Sequence, residues 1–161
     1  SRSPAHLAIL QYTFEQEIEM SKSDAFENDL LKLIFNATPV ANLADDAASA
    51  PNTSLYISLH SADPTDSGTQ SSNEVSYTSY ARVAVARNSS GWTVTGNSVS
   101  PAANIDFPMC TGSTATATHF GVGMGSSGAT KLLYSGTLTP NISISNGVTP
   151  RIASSSTITE D

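Results

Sequence analysis

The feature that most constrains the fold is a series of short alternating segments that runs from Leu55 to the end of the chain. About eight such segments recur at intervals of roughly 8–12 residues, separated by turn-forming residues, which is typical of a β-sandwich or jelly roll. The alternation is clear at Tyr80–Arg87 and strict at Asn141–Ser145, and Asn146-Gly147 is a strong hairpin signal. The sequence therefore predicts a mainly β protein with an antiparallel β-sandwich, or jelly-roll-like, domain over residues 55–161.

The flanking turn residues locate the individual strands. We predict the clearest ones at Leu55–His60, Tyr80–Arg87, Trp92–Thr95, Ala115–Val122, Lys131–Leu138 and Asn141–Ser145. Large apolar side chains on these strands should fill the space between the sheets. We expect the core to include Tyr56, Ile57 or Leu59, Val83, Val85, Trp92, Phe120, Leu133 and Ile144.

A different periodicity precedes Pro51 and predicts an N-terminal arm over residues 1–54. Apolar residues at spacings of three and four indicate an amphipathic helix at about 23–35, which Pro39 follows. Residues 38–54 read as an extended connector. The apolar stripe of the helix either packs on the protein's own sheet or docks on a neighbouring subunit, and we take it as a candidate protein interface. It consists of Phe26, Leu30, Leu33 and Ile34.

The charge distribution excludes several partners. Seven Lys and Arg face fourteen Asp and Glu, a net charge of −7, so the clustered basic residues that a nucleic acid needs are missing. No apolar run approaches the roughly 18 residues of a membrane-spanning helix. The single Cys110 excludes an intrachain disulfide framework and any multi-cysteine metal site. Residues 1–50 hold three basic and eight acidic residues, and we expect the functional domain to begin near Met20.

Residue types that carry chemistry are present but are not arranged for it. His60, His119 and Asp63 could be read as metal ligands, yet sequence alone shows no convergence, and we interpret them as structural. Cys110 has no identifiable base, and no serine stands in a Gly-x-Ser-x-Gly turn. Asp63 and Asp66 are a possible carboxylate pair, but both are typical turn residues here. We therefore predict no catalytic, metal-binding or cofactor-binding residue and a non-enzymatic protein.

Five segments, taken in order, carry a family resemblance. They are Leu55–Pro64 (LYISLHSADP), Tyr80–Val85 (YARVAV), Thr118–Val122 (THFGV), Lys131–Leu138 (KLLYSGTL) and Ile158–Asp161 (ITED). Together they resemble a group of small virion proteins of tailed bacteriophages that are often labelled tail fibre proteins. The resemblance covers roughly residues 21–161. The chain departs from the family pattern at Ser61, where Thr is usual, at Val122, where Ile is common, and in a longer Ala-rich connector.

The resemblance implies a virion structural protein, assembled in the host cytoplasm, with no enzymatic activity. Because the chain is short and has no internal repeat, we expect a capsid decoration, or cement, protein that binds and stabilises the major capsid shell. The alternative is a tail fibre or tail accessory protein, and a further alternative is a small carbohydrate-binding β-sandwich module. The implied partners are the major capsid protein or other virion proteins and further copies of the chain in a homo-oligomer, with no nucleic acid and no membrane.

Overall fold

The computed structural model describes residues 24–40 and 51–160 of the 161-residue chain. The predicted start near Met20 and most of the connector lie outside the described residues. One helix, α1 (Asp24–Asn36), is followed by nine strands within these ranges. The strands are β1 (Ser54–His60), β2 (Val83–Ala86), β3 (Trp92–Thr95), β4 (Ser98–Pro101), β5 (Ile105–Asp106), β6 (Ala115–Gly123), β7 (Leu132–Ile144), β8 (Arg151–Ile152) and β9 (Ile158–Thr159).

All of the strand pairs are antiparallel. A four-stranded sheet has the order β2-β1-β6-β7, a three-stranded sheet the order β3-β4-β9, and β5 pairs with β8. The prediction of a mainly β, antiparallel fold with one short N-terminal helix is confirmed, and the helix begins and ends within one residue of the predicted 23–35.

The pairing of β6 with β7 is irregular, and residues of β6 on both sides of the irregularity contribute to the core. Side chains of a regular strand alternate between faces, so Ala117 and Phe120 would point to opposite sides of an uninterrupted strand. The pairing with β7 shifts between Ala117, which lies opposite Ile142, and His119, which lies opposite Thr137, so β7 advances by five residues where β6 advances by two. Ala117 is fully buried and Phe120 packs against the same core.

The predicted core is largely present. Ile57, Leu59, Trp92 and Ile144 are buried, and Val83, Val85, Phe120 and Leu133 are partly buried against them. Tyr56 was wrongly assigned, because Leu55, Ile57 and Leu59 turn inward and the tyrosine stands half-buried on the other face of β1. The loops also contribute buried residues that periodicity did not predict, among them Tyr77, Phe107 and Cys110.

Helix α1 packs on β3 and completes one end of the core. Leu31 and Phe35 are fully buried, and the Phe35 ring meets Trp92 edge-on at a centroid distance of 4.6 Å. Arg87 donates hydrogen bonds to the carbonyl oxygens of Leu33 and Ile34, both at 2.6 Å. These carbonyls belong to the last turn, where a helix has no internal donors, so Arg87 satisfies the helix end and fixes it to the sandwich.

Strand β7 is one thirteen-residue strand where the sequence predicted two, at Lys131–Leu138 and Asn141–Ser145. Pro140, which has no N–H to donate to a neighbouring strand, lies between the two predicted segments, and the pairing with β6 shifts there, from Thr137 opposite His119 to Ile142 opposite Ala117. Because β7 lies at the edge of its sheet, it tolerates this proline.

Candidate functional site

The predicted interface residues of α1 differ in their burial. Phe26 is 39 % exposed, whereas Leu30, Leu33 and Ile34 are half-buried and Ile34 packs against the core. The stripe is therefore divided between the body of the protein and the surface. Its role as a protein interface remains a prediction.

The residues by which α1 contacts the body form a neighbouring stripe. Glu27, Leu31 and Phe35, spaced four apart, are the buried residues of the helix. The stripe named in the sequence analysis lies one residue away, and apolar residues cover more than half of the circumference of this helix. The contact of Phe35 with Trp92 and Tyr134 decides which part turns inward.

A serine and a histidine on the reverse face of β1 resemble a nucleophile and its base. Ser58 Oγ lies 2.8 Å from His60 Nε2, and both residues are fully buried. His60 Nδ1 lies 2.7 Å from the carbonyl oxygen of Ser72, so Nδ1 is the donor and Nε2 accepts from the serine hydroxyl. Burial lowers the pKa of His60, although the hydrogen bond to Ser72 and the charge of Glu74 act in the opposite direction.

The backbone of the neighbouring strand seals this pair. A Cβ atom placed on Gly121 would lie 2.7 Å from both His60 Nε2 and Ser58 Oγ, so β6 covers the two side chains directly. A nucleophile needs an open position beside it for the reacting atom. This arrangement has none, and it serves as a packed polar cluster.

Arg82 ties two loops to the same face of the sheet. Its guanidinium forms two-pronged contacts with Glu74, with Nη2–Oε2 at 2.7 Å, and its side chain is 3 % exposed. It also donates to the carbonyl oxygens of Gly125 at 2.9 Å and Gly128 at 2.7 Å, and to Thr130 Oγ1 at 3.0 Å. Arg82 is thus committed to structure and offers no cation to a ligand.

Gln70 performs the same function beside Arg82. Its amide nitrogen donates to the carbonyl oxygen of Tyr56 at 3.0 Å. Its oxygen accepts from the backbone N–H of Gly125 at 3.1 Å and from Thr130 Oγ1 at 2.7 Å. The polar cluster of Ser58, His60, Gln70, Glu74, Arg82 and Thr130 holds the loops after β1 and β6 against the sheet.

The remaining candidate residues have structural partners. Asp63 Oδ1 accepts from the N–H of Thr65 at 2.8 Å, the turn role that the sequence predicted. Cys110 is buried, with Sγ 3.0 Å from the carbonyl oxygen of Gly112. His119 Nδ1 lies 2.8 Å from Thr118 Oγ1. Within residues 24–40 and 51–160, no cluster of three or more His, Cys, Asp or Glu side chains could hold a metal ion.

An apolar groove of about 620 Å³ opens between β7 and the segment that carries β8 and β9. Buried side chains form its floor, among them Ile57, Trp92 and Val122. Trp92 Nε1 has no hydrogen-bond partner among the described residues. The exposed residues at its rim are Thr137, Thr139, Pro140, Asn141, Ser143, Arg151, Ala153, Ser156 and Thr157.

One ion pair stands at this groove. Arg151 Nε donates to Asp106 Oδ1 at 2.6 Å, and both side chains are about half exposed. The hydrogen bond from Arg151 lowers the pKa of Asp106. The groove is otherwise lined by uncharged side chains, so it suits an apolar or hydroxyl-bearing surface.

Sequence reasoning did not identify β7 as a surface of interest. Its thirteen residues contain no Asp, Glu, Lys or Arg, in a chain with 21 such residues. That uncharged run was the available signal. Its outer side has no strand partner within the described residues.

Among those residues, no helix is long and apolar enough to cross a membrane. A family model described as podophage GP4 fiber I protein gp80 (Gp80) matches residues 21–160. No curated protein gives a significant match.

Proposed function

The chain belongs to the Gp80 family, described as podophage GP4 fiber I protein gp80, and we propose that it is a subunit of a bacteriophage tail fibre. Membership makes it a phage virion structural protein, as the sequence resemblance implied. In the fibre it would bind neighbouring virion proteins through the uncharged β7 side of the sandwich and the exposed part of α1.

The extent of the family match is the observation that carries this proposal. It spans residues 21–160 and therefore includes both α1 and the sandwich. The packing of Phe35 on Trp92 joins the same two parts into one body. A structural role is also supported by the sealed Ser58–His60 pair, which has no space for a substrate.

Capsid decoration is the second candidate, and the compactness of the chain favours it. The described residues form a short sandwich, and the sequence has no internal repeat of the kind that builds long fibres. In this role the major capsid protein would be the partner. The carbohydrate-binding alternative has no comparable support, since the large apolar side chains exposed in the described residues are Phe26, Met109 and Met124.

The copy number and location of the chain on purified virions separate the two candidates. Quantitative mass spectrometry against the major capsid protein gives the number of copies, and immunogold electron microscopy gives the location. A tail fibre subunit should be present in a few dozen copies or fewer, with gold at the tail. Hundreds of copies with gold over the shell would overturn the fibre proposal and support decoration.

A further inference from the structure

We propose that two copies of this chain associate through β7, with the two strands paired antiparallel across a two-fold axis. In this arrangement a second copy of the chain covers the side of the molecule where the apolar groove opens. The proposal concerns the isolated protein and does not depend on whether the virion carries it on the tail or on the shell.

The free edge of β7 is long enough to form such an interface. The pairing of β7 with β6 shifts between Thr137 and Ile142, and the stretch before this shift, residues 132–137, extends over about 20 Å at 3.3 Å per residue. β6 occupies one side of the strand, and within residues 24–40 and 51–160 no strand pairs with the other side. An edge of this kind presents unpaired backbone donors and acceptors to a further strand.

The charge pattern indicates that the partner is another copy. The chain has a net charge of −7, so two copies repel one another wherever their acidic surfaces meet. The segment Leu132–Ile144 carries no charged side chain, so it can approach its own copy without placing like charges in contact. Proteins commonly protect free edges with charges, and β7 has none.

The groove gives the pairing an apolar component. Leu138 and Ile142 on β7 are half-buried and line the groove together with Phe120 and Ile158. A two-fold axis perpendicular to the sheet leaves the same face of both β7 strands on one side. The two grooves then lie next to each other beneath the paired strands, and each copy covers the open flank of the other.

The rim of the groove provides polar groups for the same contact. Thr137, Thr139, Asn141 and Ser143 are exposed on β7 and carry hydroxyl or amide groups. Protein interfaces typically combine an apolar centre with a polar rim of this kind. The opposite edge of the same sheet, β2, is only four residues long and is a much poorer template.

Light scattering coupled to size-exclusion chromatography tests the proposal on the purified full-length chain. The test variant is Thr137→Lys/Asn141→Lys, which adds two charges to the β7 edge. The matched control is Ala84→Lys/Ser90→Lys, which adds the same charges at exposed positions on β2 and the turn after it.

We expect the wild type and the control to be dimers. The dissociation constant of the β7 variant should be about 100-fold higher or more, because like charges would face each other across the axis. Circular dichroism should give the same spectrum for all three. A wild type that stays monomeric up to its solubility limit, or a folded β7 variant that dimerises as tightly as wild type, would overturn the proposal.

Cross-linking keeps the test decisive if the double lysine variant fails to fold. Thr139→Cys and Ala84→Cys each add one exposed thiol, while Cys110 is buried and does not compete. A bismaleimide should link Thr139→Cys into covalent dimers and leave Ala84→Cys monomeric on denaturing gels. Equal cross-linking of the two variants, or none at position 139, would contradict pairing through β7.

Discussion

The two outer regions of the four-stranded sheet, the reverse face of β1 and the edge at β7, differ in how their polar groups are satisfied. On the reverse face of β1, the side chains of Ser58, His60, Gln70 and Arg82 are buried and hydrogen-bonded within the chain. At β7, hydroxyl and amide side chains are exposed, and the backbone edge has no partner strand within the described residues. The first region therefore contributes to stability, and we expect the second to mediate association.

The largest effect should follow from breaking the buried ion pair. Arg82→Met leaves the Glu74 carboxylate and the carbonyls of Gly125 and Gly128 without their donor. A buried charge that loses its partner typically costs about 3–5 kcal/mol, and we expect a loss of this size in urea denaturation. Arg151→Met, at the exposed pair with Asp106, is the control and should change stability little.

An equal loss of unfolding free energy in Arg82→Met and Arg151→Met would contradict the view that the buried polar cluster on the reverse face of β1 stabilises the fold. The double variant Arg82→Met/Glu74→Met should be less destabilised than Arg82→Met alone, because it also removes the uncompensated carboxylate.

Two glycines of the four-stranded sheet have equally little space for a side chain, one beside the buried polar cluster and one beside the groove. A Cβ on Gly121 would press on His60 and Ser58 at 2.7 Å, and one on Gly136 would press on the Phe120 ring at 2.7 Å. Gly121→Ala should cost about 1–3 kcal/mol, because its neighbours are fully buried. Gly136→Ala should cost less, since the Phe120 ring borders the groove and can move into it. Thermal denaturation measures both, and a larger loss at Gly136 would contradict the account.

The pH dependence of stability should report on His60. Burial lowers the pKa of His60 in the folded state. Below about pH 6.5 the imidazole is therefore protonated more in the unfolded chain than in the folded chain. Stability should therefore be complete above that pH and decrease as the pH falls below it, by at most about 1.4 kcal/mol per pH unit for one group. Glu74, Arg82 and His119 face this imidazole and are unchanged in the test variant.

Denaturant titrations at pH 7.0, 6.5, 6.0 and 5.5 would measure the slope, with His60→Asn as the control that lacks the titrating ring. A slope of equal size in the two proteins would assign the pH dependence to other groups.

The smallest effect on stability is expected at the exposed end of α1. Phe26→Ser changes a side chain that is 39 % exposed, and the variant should lower the melting temperature less than a truncation of a fully buried residue of the same helix does. The same variant should reduce incorporation into particles if this part of the helix contacts another virion subunit. Leu31→Ala is the matched control, because Leu31 is fully buried and its truncation should cost about 2–5 kcal/mol. Full incorporation of Phe26→Ser would remove α1 from the set of interfaces.

The sequence predicted those features of the fold that depend on local periodicity. The alternation after Leu55 indicated the strands, and the spacing in residues 23–35 indicated the helix. The sequence did not select the buried residues of α1, because six large apolar residues span more than half of the helix circumference; Leu31 and Phe35 are the buried ones, and Phe35 contacts Trp92. Tyr56 was misplaced for a related reason, since β1 is buried on both faces and shows no clear alternation.

The candidate site was less predictable than the fold. Arg82 and its acceptors at Gly125 and Gly128 are more than 40 residues apart in sequence, and a single sequence contains no signal that joins them. The exclusion of metal and catalytic roles for His60 and Asp63 rested on turn and strand chemistry, which is local, and both residues do have structural partners. The continuity of β7 through Pro140 could be recognised only once β7 was known to be an edge strand.

Hydrogen exchange of the full-length chain at two protein concentrations tests the central contrast most directly. Backbone amides of β1, which pairs with a strand on each side, should exchange slowly and at the same rate at both concentrations. The outward-facing amides of Ser135–Ser143 on β7 should exchange rapidly in dilute protein and become protected in concentrated protein. Protection of β7 that equals that of β1 at both concentrations, or rapid exchange of β7 that concentration does not change, would contradict the account.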